Sequence, residues 1–189
     1  MLQQKLLSKT LSVLHQNNID YMITGSVASS LHGEPRTSHD IDMVVSITET
    51  SIPTLIRSFP PPQYYLTEES IREAIVHKSM FNLIQTDTGD KIDFWILTNE
   101  AFDQSRFKRK YVQRALGVRM YVSTPEDTIL MKLKWSKDSG GSTKQNTDAL
   151  RIYELQHHKL DTEYIENWSK LLDVKPMWDE LKKIAKPIV

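Results

Sequence analysis

Apolar positions fall at helical spacing over residues 2–16, where Leu2, Leu6, Leu7, Leu11, Val13 and Leu14 are separated by Lys, Gln and Ser. The period predicts an amphipathic helix that ends at Asn17 and Asn18. A short, partly β-branched run from Ile19 to Thr24 reads as a buried strand closed by Gly25. Ser26 reads as a helix cap, with at most two helical turns before Gly33 and Pro35 stop them. The polar segment through His39 is a loop by composition, and Ile41 to Ile47 is a second, Val-rich strand. Helices are expected from Thr48 to about Ser58 and from Thr67 to His77, on either side of a stiff three-proline boundary at residues 60–62. Two hairpins follow. One joins Met80–Thr86 to Lys91–Leu97 around Asp87-Thr-Gly-Asp90, and the other joins Tyr111–Ala115 to Val118–Val122. A helix from Asn99 to about Phe107 lies between them. From Pro125 onward the pattern is helical: to Ser136, then Lys144 to His158, Thr162 to Leu172 and Pro176 to Ala185.

This order of elements predicts an α/β (α+β) fold. A small mixed β-sheet flanked by helices would occupy residues 1–123, with a C-terminal helical region, residues 124–189, packed on it. Cysteine is absent, which excludes disulfides, thiolate metal sites and a cysteine nucleophile, and fits a reducing cytoplasm. No run approaches the ~20 apolar residues of a membrane span, and the first residues lack the apolar core of a secretion signal. A cytoplasmic protein without membrane contact is therefore expected. Lys plus Arg equals Asp plus Glu, at 24 each. Proteins that coat nucleic acid are usually basic, so any nucleic acid must meet a local patch. Arg106, Lys108, Arg109, Lys110 and Arg114, interleaved with Phe107 and Tyr111, are a candidate for that patch, although such runs are more often solvated faces. His157 and His158 read as cations at a helix end rather than as metal ligands.

The chemistry concentrates between Gly25 and Asp42. In a strand, residues two apart point to one face, so Asp40 and Asp42 aim two carboxylates into one space. Like charges so close repel, and a cation between them is the simplest relief. Hard oxygen ligands that leave room for water and phosphates suit Mg²⁺. Asp93 lies on a later strand that can neighbour the first, where it would complete a metal site or accept the proton of an attacking hydroxyl. Gly25 lets the backbone approach a ligand, and a helix starting at Ser26 offers free N–H groups to a phosphate. Arg36, in the loop before the aspartates, adds positive charge. A triphosphate would lie between this turn and the metal, and an acceptor hydroxyl would attack its α-phosphate with pyrophosphate leaving.

The ordered set Gly25-Ser26, a thirteen-residue gap, Asp40-Ile-Asp42 and a later Asp93 resembles the nucleotidyltransferase superfamily with the DNA polymerase β-like fold. Within it the chain is most similar to small bacterial proteins related to the AbiEii toxins. Thr124-Pro-Glu-Asp-Thr-Ile-Leu-Met-Lys132-Leu resembles a helix of theirs, and Lys144-Gln-Asn-Thr-Asp148 resembles their Lys-Asp-x-x-Asp element, with Gln145 departing from it. The resemblance implies Asp40, Asp42 and Asp93 as catalytic metal ligands for Mg²⁺, and Gly25 and Ser26 as phosphate holders. It implies Lys132 at the triphosphate and Asp148 in support. The co-substrate would be ATP or another NTP. The acceptor would be a tRNA 3′ end or a protein side chain, and an antitoxin partner is implied. Two rival readings stand beside it. One is a catalytically idle binding module of the same fold. The other is an antibiotic-modifying enzyme, which would need an acidic acceptor pocket supplied by residues such as Glu34, Glu68, Glu69 or Glu73.

Overall fold

The computed structural model describes residues 2–35 and 40–187. Arg36 and His39 lie outside the described residues. The chain divides into two compact units, one of residues 1–26 and 37–122 and one of residues 27–36 and 123–189.

The first unit is built on a seven-stranded mixed sheet. Its elements run α1 (Leu2–Gln16), β1 (Asp20–Ile23), β2 (Asp40–Ser46), α3 (Ile52–Ser58), β3 (Tyr64–Tyr65), α4 (Glu68–His77), β4 (Met80–Gln85), β5 (Lys91–Ile96), α5 (Ala101–Arg109), β6 (Tyr111–Ala115) and β7 (Val118–Val122), while helix α2 (Gly25–His32) crosses into the second unit after Ser26. The strand order is β3-β4-β5-β2-β1-β7-β6. β2 pairs antiparallel with β1 and parallel with β5, which places β2 at the centre. The period-2 pattern explains that position. Ile41, Met43 and Val45 share one face and are buried, as are Ile92, Phe94 and Ile96 across the ladder. On the opposite face Val44 joins Met22 and Phe107 in a small buried cluster, so apolar cover begins only beyond Asp42. Thr67 caps α4 by accepting from the Ser70 N–H. Two expectations are revised. The two-residue strand β3 follows the proline boundary, where no strand was read, and α2 begins at Gly25 rather than being capped by Ser26.

The second unit contains α6 (Pro125–Asp138), α7 (Thr143–Gln156), α8 (Thr162–Leu171) and α9 (Lys175–Ile184). α6 packs on α7 and α8, and α9 on both of those. Thr124 caps α6 by accepting from the Asp127 N–H, and Ser142 caps α7 by accepting from Gln145 N–H, although the sequence around it reads as loop. Glu126 and Asp127 do more than complement a helix dipole. Asp127 is fully buried and accepts from the Thr124 hydroxyl at 2.9 Å and from the Tyr164 hydroxyl at 2.7 Å. Glu126 accepts from the Asp161 N–H at 3.0 Å.

His32, at the end of α2, donates from Nε2 to the Ser123 carbonyl at 2.7 Å. Burial pushes its pKa below the ordinary 6.5, against the opposing pull of the Ser123 carbonyl and Glu126. The fold therefore prefers neutral His32. That stability is fully present above pH 6.5 and is lost as pH falls toward the folded pKa. Lowering the pH from about 7.5 to about 5.5 is expected to reduce the melting temperature, and His32→Gln to flatten the dependence, as followed by circular dichroism.

Candidate active site

Strand register brings Asp40, Asp42 and Asp93 of the first unit together. Asp42 and Asp93 are direct partners across the parallel β2–β5 ladder, and Asp40 is the partner of Lys91 two residues upstream. Because the side-chain period is two, Asp40, Asp42, Lys91, Asp93 and Trp95 leave the sheet on one face. Asn82 of β4 is the partner of Asp93 on its other side. Asp93 is buried, Asp42 is partly buried and Asp40 is exposed.

The carboxylates are already engaged by donors. Asn82 Nδ2 donates to Asp93 Oδ1. Lys91 Nζ lies 3.1 Å from Asp93 Oδ2 and 3.6 Å from Asp40 Oδ1. Trp95 Nε1 donates to Asp42 Oδ1 at 3.4 Å. Partial burial works against the Lys91 ammonium, but its hydrogen bond and charge pairing with Asp93, and the charge of Asp40, outweigh it and hold its pKa above the ordinary lysine value.

Gly25 supplies the close approach. Its φ is +62°, a conformation that costs a side-chain-bearing residue roughly 1–2 kcal/mol. A Cβ there would lie 2.0 Å from Asp42 Oδ2 and 2.5 Å from its Cγ. The Asp42 carboxylate thus rests against the backbone that opens α2, and the Thr24 N–H donates to the Asp42 carbonyl at 3.0 Å. Ser26 follows in the first turn of that helix, where N–H groups and the helix dipole favour an anion.

Three carboxylates share this face, two of them in register, beside a backbone that leaves no room for a Cβ; hard oxygen donors of this kind are the chemistry a divalent cation takes. As the side chains are placed, no group of three acidic or histidine residues among the described residues is positioned to hold a metal ion. Lys91 sets a positive charge among these carboxylates.

Lys132 and Asp148 belong to the second unit and form an ion pair of 2.8 Å with both side chains almost wholly buried. Breaking such a pair leaves a buried charge without its partner. Lys132→Ala is expected to cost about 3–5 kcal/mol in denaturant unfolding, and Lys132→Met with Asp148→Leu to recover much of it.

The basic cluster of α5 and β6 is divided: Lys108 and Arg114 are exposed, whereas two of its cations are engaged by acids. Arg106 is buried and pairs with Asp103 at 2.8 Å, while Lys110 pairs with Asp20 at 2.9 Å and lies over the Phe107 ring. The glutamates weighed for an acceptor pocket are partly paired as well, Glu68 with Arg72 and Glu34 with Arg151. Sequence reasoning missed Lys91, Asn82 and Trp95. The spacing of Lys91, Asp93 and Trp95 already places them on one strand face, and that signal was available.

No protein-family model matches the chain, and no curated protein matches it by sequence. Solved structures do. The crystal structure of an antigenic nucleotidyltransferase-like protein from Paracoccidioides brasiliensis aligns with a TM-score of 0.52 at 17% identity, covering 98% of this chain and 94% of that one. The antibiotic-resistance protein ANT(2″)-Ia, in complex with adenylyl-2″-tobramycin, gives 0.55 at 13% identity over 92% and 98% of the two chains. The lincosamide antibiotic adenylyltransferase LnuA, lincomycin-bound, gives 0.51 at 12% identity over 78% and 94%. The fold is that of the nucleotidyltransferases. In this nucleotidyltransferase fold the carboxylate row lies on β2 and β5 and the Gly25 turn on the link from β1 to α2. The narrower likeness to AbiEii-related proteins rests on the sequence motifs alone.

Proposed function

We propose that this chain is a Mg²⁺-dependent nucleotidyltransferase that moves a nucleoside monophosphate from an NTP to an acceptor hydroxyl. One observation carries the reading: Asp42 and Asp93 stand in register on adjacent parallel strands, with Asp40 on the same face and Gly25 against the Asp42 carboxylate. Asp40, Asp42 and Asp93 would hold the metal, which supplies charge neutralisation at the phosphates when bound. Gly25, Ser26 and Arg36 would hold the phosphates. Asp93, the most buried of the three acids, would accept the proton of the attacking hydroxyl. The acceptor oxygen bonds to the α-phosphorus, the bond between the α-phosphorus and the bridging oxygen breaks, and pyrophosphate departs. Lys132 and Asp148 are proposed in the nucleotide-binding role that the motif resemblance implies.

For the acceptor, a tRNA 3′ end or a protein hydroxyl follows from the toxin-type resemblance, with an antitoxin as regulatory partner. A small hydroxylated molecule is favoured by a specific observation: Arg106 is buried against Asp103 and Lys110 is paired with Asp20, which leaves Lys108 and Arg114 as the exposed cations of that cluster and narrows a nucleic-acid footprint. The likeness to adenylyltransferases of antibiotics supports the same choice. Incubation with each α-labelled NTP, Mg²⁺ and separate acceptor pools of tRNA, cell protein, aminoglycosides and lincosamides distinguishes these. Label on one pool identifies the acceptor class. No label on any pool turns the reading to a binding module of the same fold.

A further inference from the structure

We infer that Lys91 is an internal counter-ion that competes with the divalent cation for Asp93 and Asp40, so that metal loading requires its ammonium to leave both carboxylates. This rests on the metal-dependent reading above. Register places Lys91 directly opposite Asp40 and two residues before Asp93, on their common face. Its Nζ reaches Asp93 Oδ2 at 3.1 Å and Asp40 Oδ1 at 3.6 Å. The other Asp93 oxygen accepts from Asn82. A cation that takes Asp93 through Oδ2 therefore meets an ammonium already there, and positive charges at that separation repel strongly.

Lysine suits this role. Its charge sits on a flexible four-carbon stem, and the head can swing aside with no change in the strand. The Lys91 side chain is 30% exposed, so solvent and incoming phosphates can reach it. Asp42 meets Trp95 at Oδ1 and the Gly25 backbone beside Oδ2. Lys91 thus raises the threshold for a bare cation at two of the three acids. A cation that arrives with a triphosphate brings its own anionic partner for the displaced ammonium. Loading is thereby biased toward the metal–nucleotide pair over free metal.

Mn²⁺ alone is the probe, with free ion measured by electron paramagnetic resonance against the full-length protein. Lys91→Met is expected to lower the Mn²⁺ Kd about fivefold to tenfold relative to wild type. Lys91→Arg, which keeps the cation, should stay within about twofold, as should Lys5→Met, a charge removed elsewhere on the same unit. Asp42→Asn should weaken binding in both backgrounds. Lys91→Gln replaces Lys91→Met if circular dichroism shows that the latter does not fold. A folded Lys91→Met that binds no tighter than wild type overturns the inference while leaving the metal reading intact, and equal tightening by Lys5→Met overturns it as a bulk-charge effect. Failure of both wild type and Lys91→Met to bind Mn²⁺ overturns the metal reading and this inference together.

Discussion

Asp42→Asn is expected to reduce nucleotidyl transfer about 10³-fold or more while leaving the fold intact. The substitution keeps the size of the side chain, so it disturbs neither the β2–β5 ladder nor the close approach of Gly25. What it removes is one negative charge from a row in which Asp42 and Asp93 are direct cross-strand partners. Like charges placed opposite one another cost stability, so the variant should unfold at the same temperature as wild type or slightly above it. The combination discriminates. Activity lost with stability kept or raised marks a group whose charge serves chemistry. Activity lost with stability marks a structural residue. Steady-state transfer rates and a thermal melt on the same preparation separate the two.

Gly25→Ala is expected to damage both stability and transfer. Two costs add. The backbone sits at φ +62°, and the new Cβ would lie 2.0, 2.5 and 2.7 Å from Oδ2, Cγ and Cβ of Asp42. Strain and overlap together should destabilise the protein by roughly 2–4 kcal/mol. The overlap must also push the Asp42 carboxylate off its position, so transfer should fall by about 10²-fold at least. Gly25→Asn separates the causes. Asparagine tolerates a positive φ better than alanine but carries the same Cβ, so it should recover part of the stability and none of the activity. Combining Gly25→Ala with Asp42→Ala removes two of the three clashing atoms. The double variant should be more stable than the sum of the single effects, and that coupling is measurable by urea unfolding.

Much of the fold was legible because its signals are local. The alternation in β2 and β5, the Thr67 and Thr124 caps and the helical period after Pro125 are each contained within a few residues. Asp40 and Asp42 were likewise readable as one face of one strand. That the strand of Asp93 can neighbour theirs was also expected, but the direct register of Asp42 with Asp93 was not readable. It depends on a parallel register between segments some fifty positions apart, and no local pattern specifies register between distant strands. Lys91 was read only as the first residue of a strand, because its significance lies in what Asp40 and Asp93 do beside it. The same reason hid Asp127. Two acids in a first helical turn are usually explained by the helix dipole, and only the fold reveals that Asp127 is buried with the Thr124 and Tyr164 hydroxyls as donors. The basic cluster shows the converse at one position. Charge density pointed outward, as Lys108 and Arg114 do, while Arg106 turned inward to Asp103.

Comparing α-labelled with γ-labelled NTP tests the proposed reaction most directly. With the acceptor pool that responds, wild type should place the α-label on the acceptor and release one pyrophosphate for each transfer, and the triple variant Asp40→Asn, Asp42→Asn, Asp93→Asn should do neither. Transfer of the γ-label with release of nucleoside diphosphate, or α-label transfer that survives in the triple variant, would contradict nucleotidyl transfer at these carboxylates.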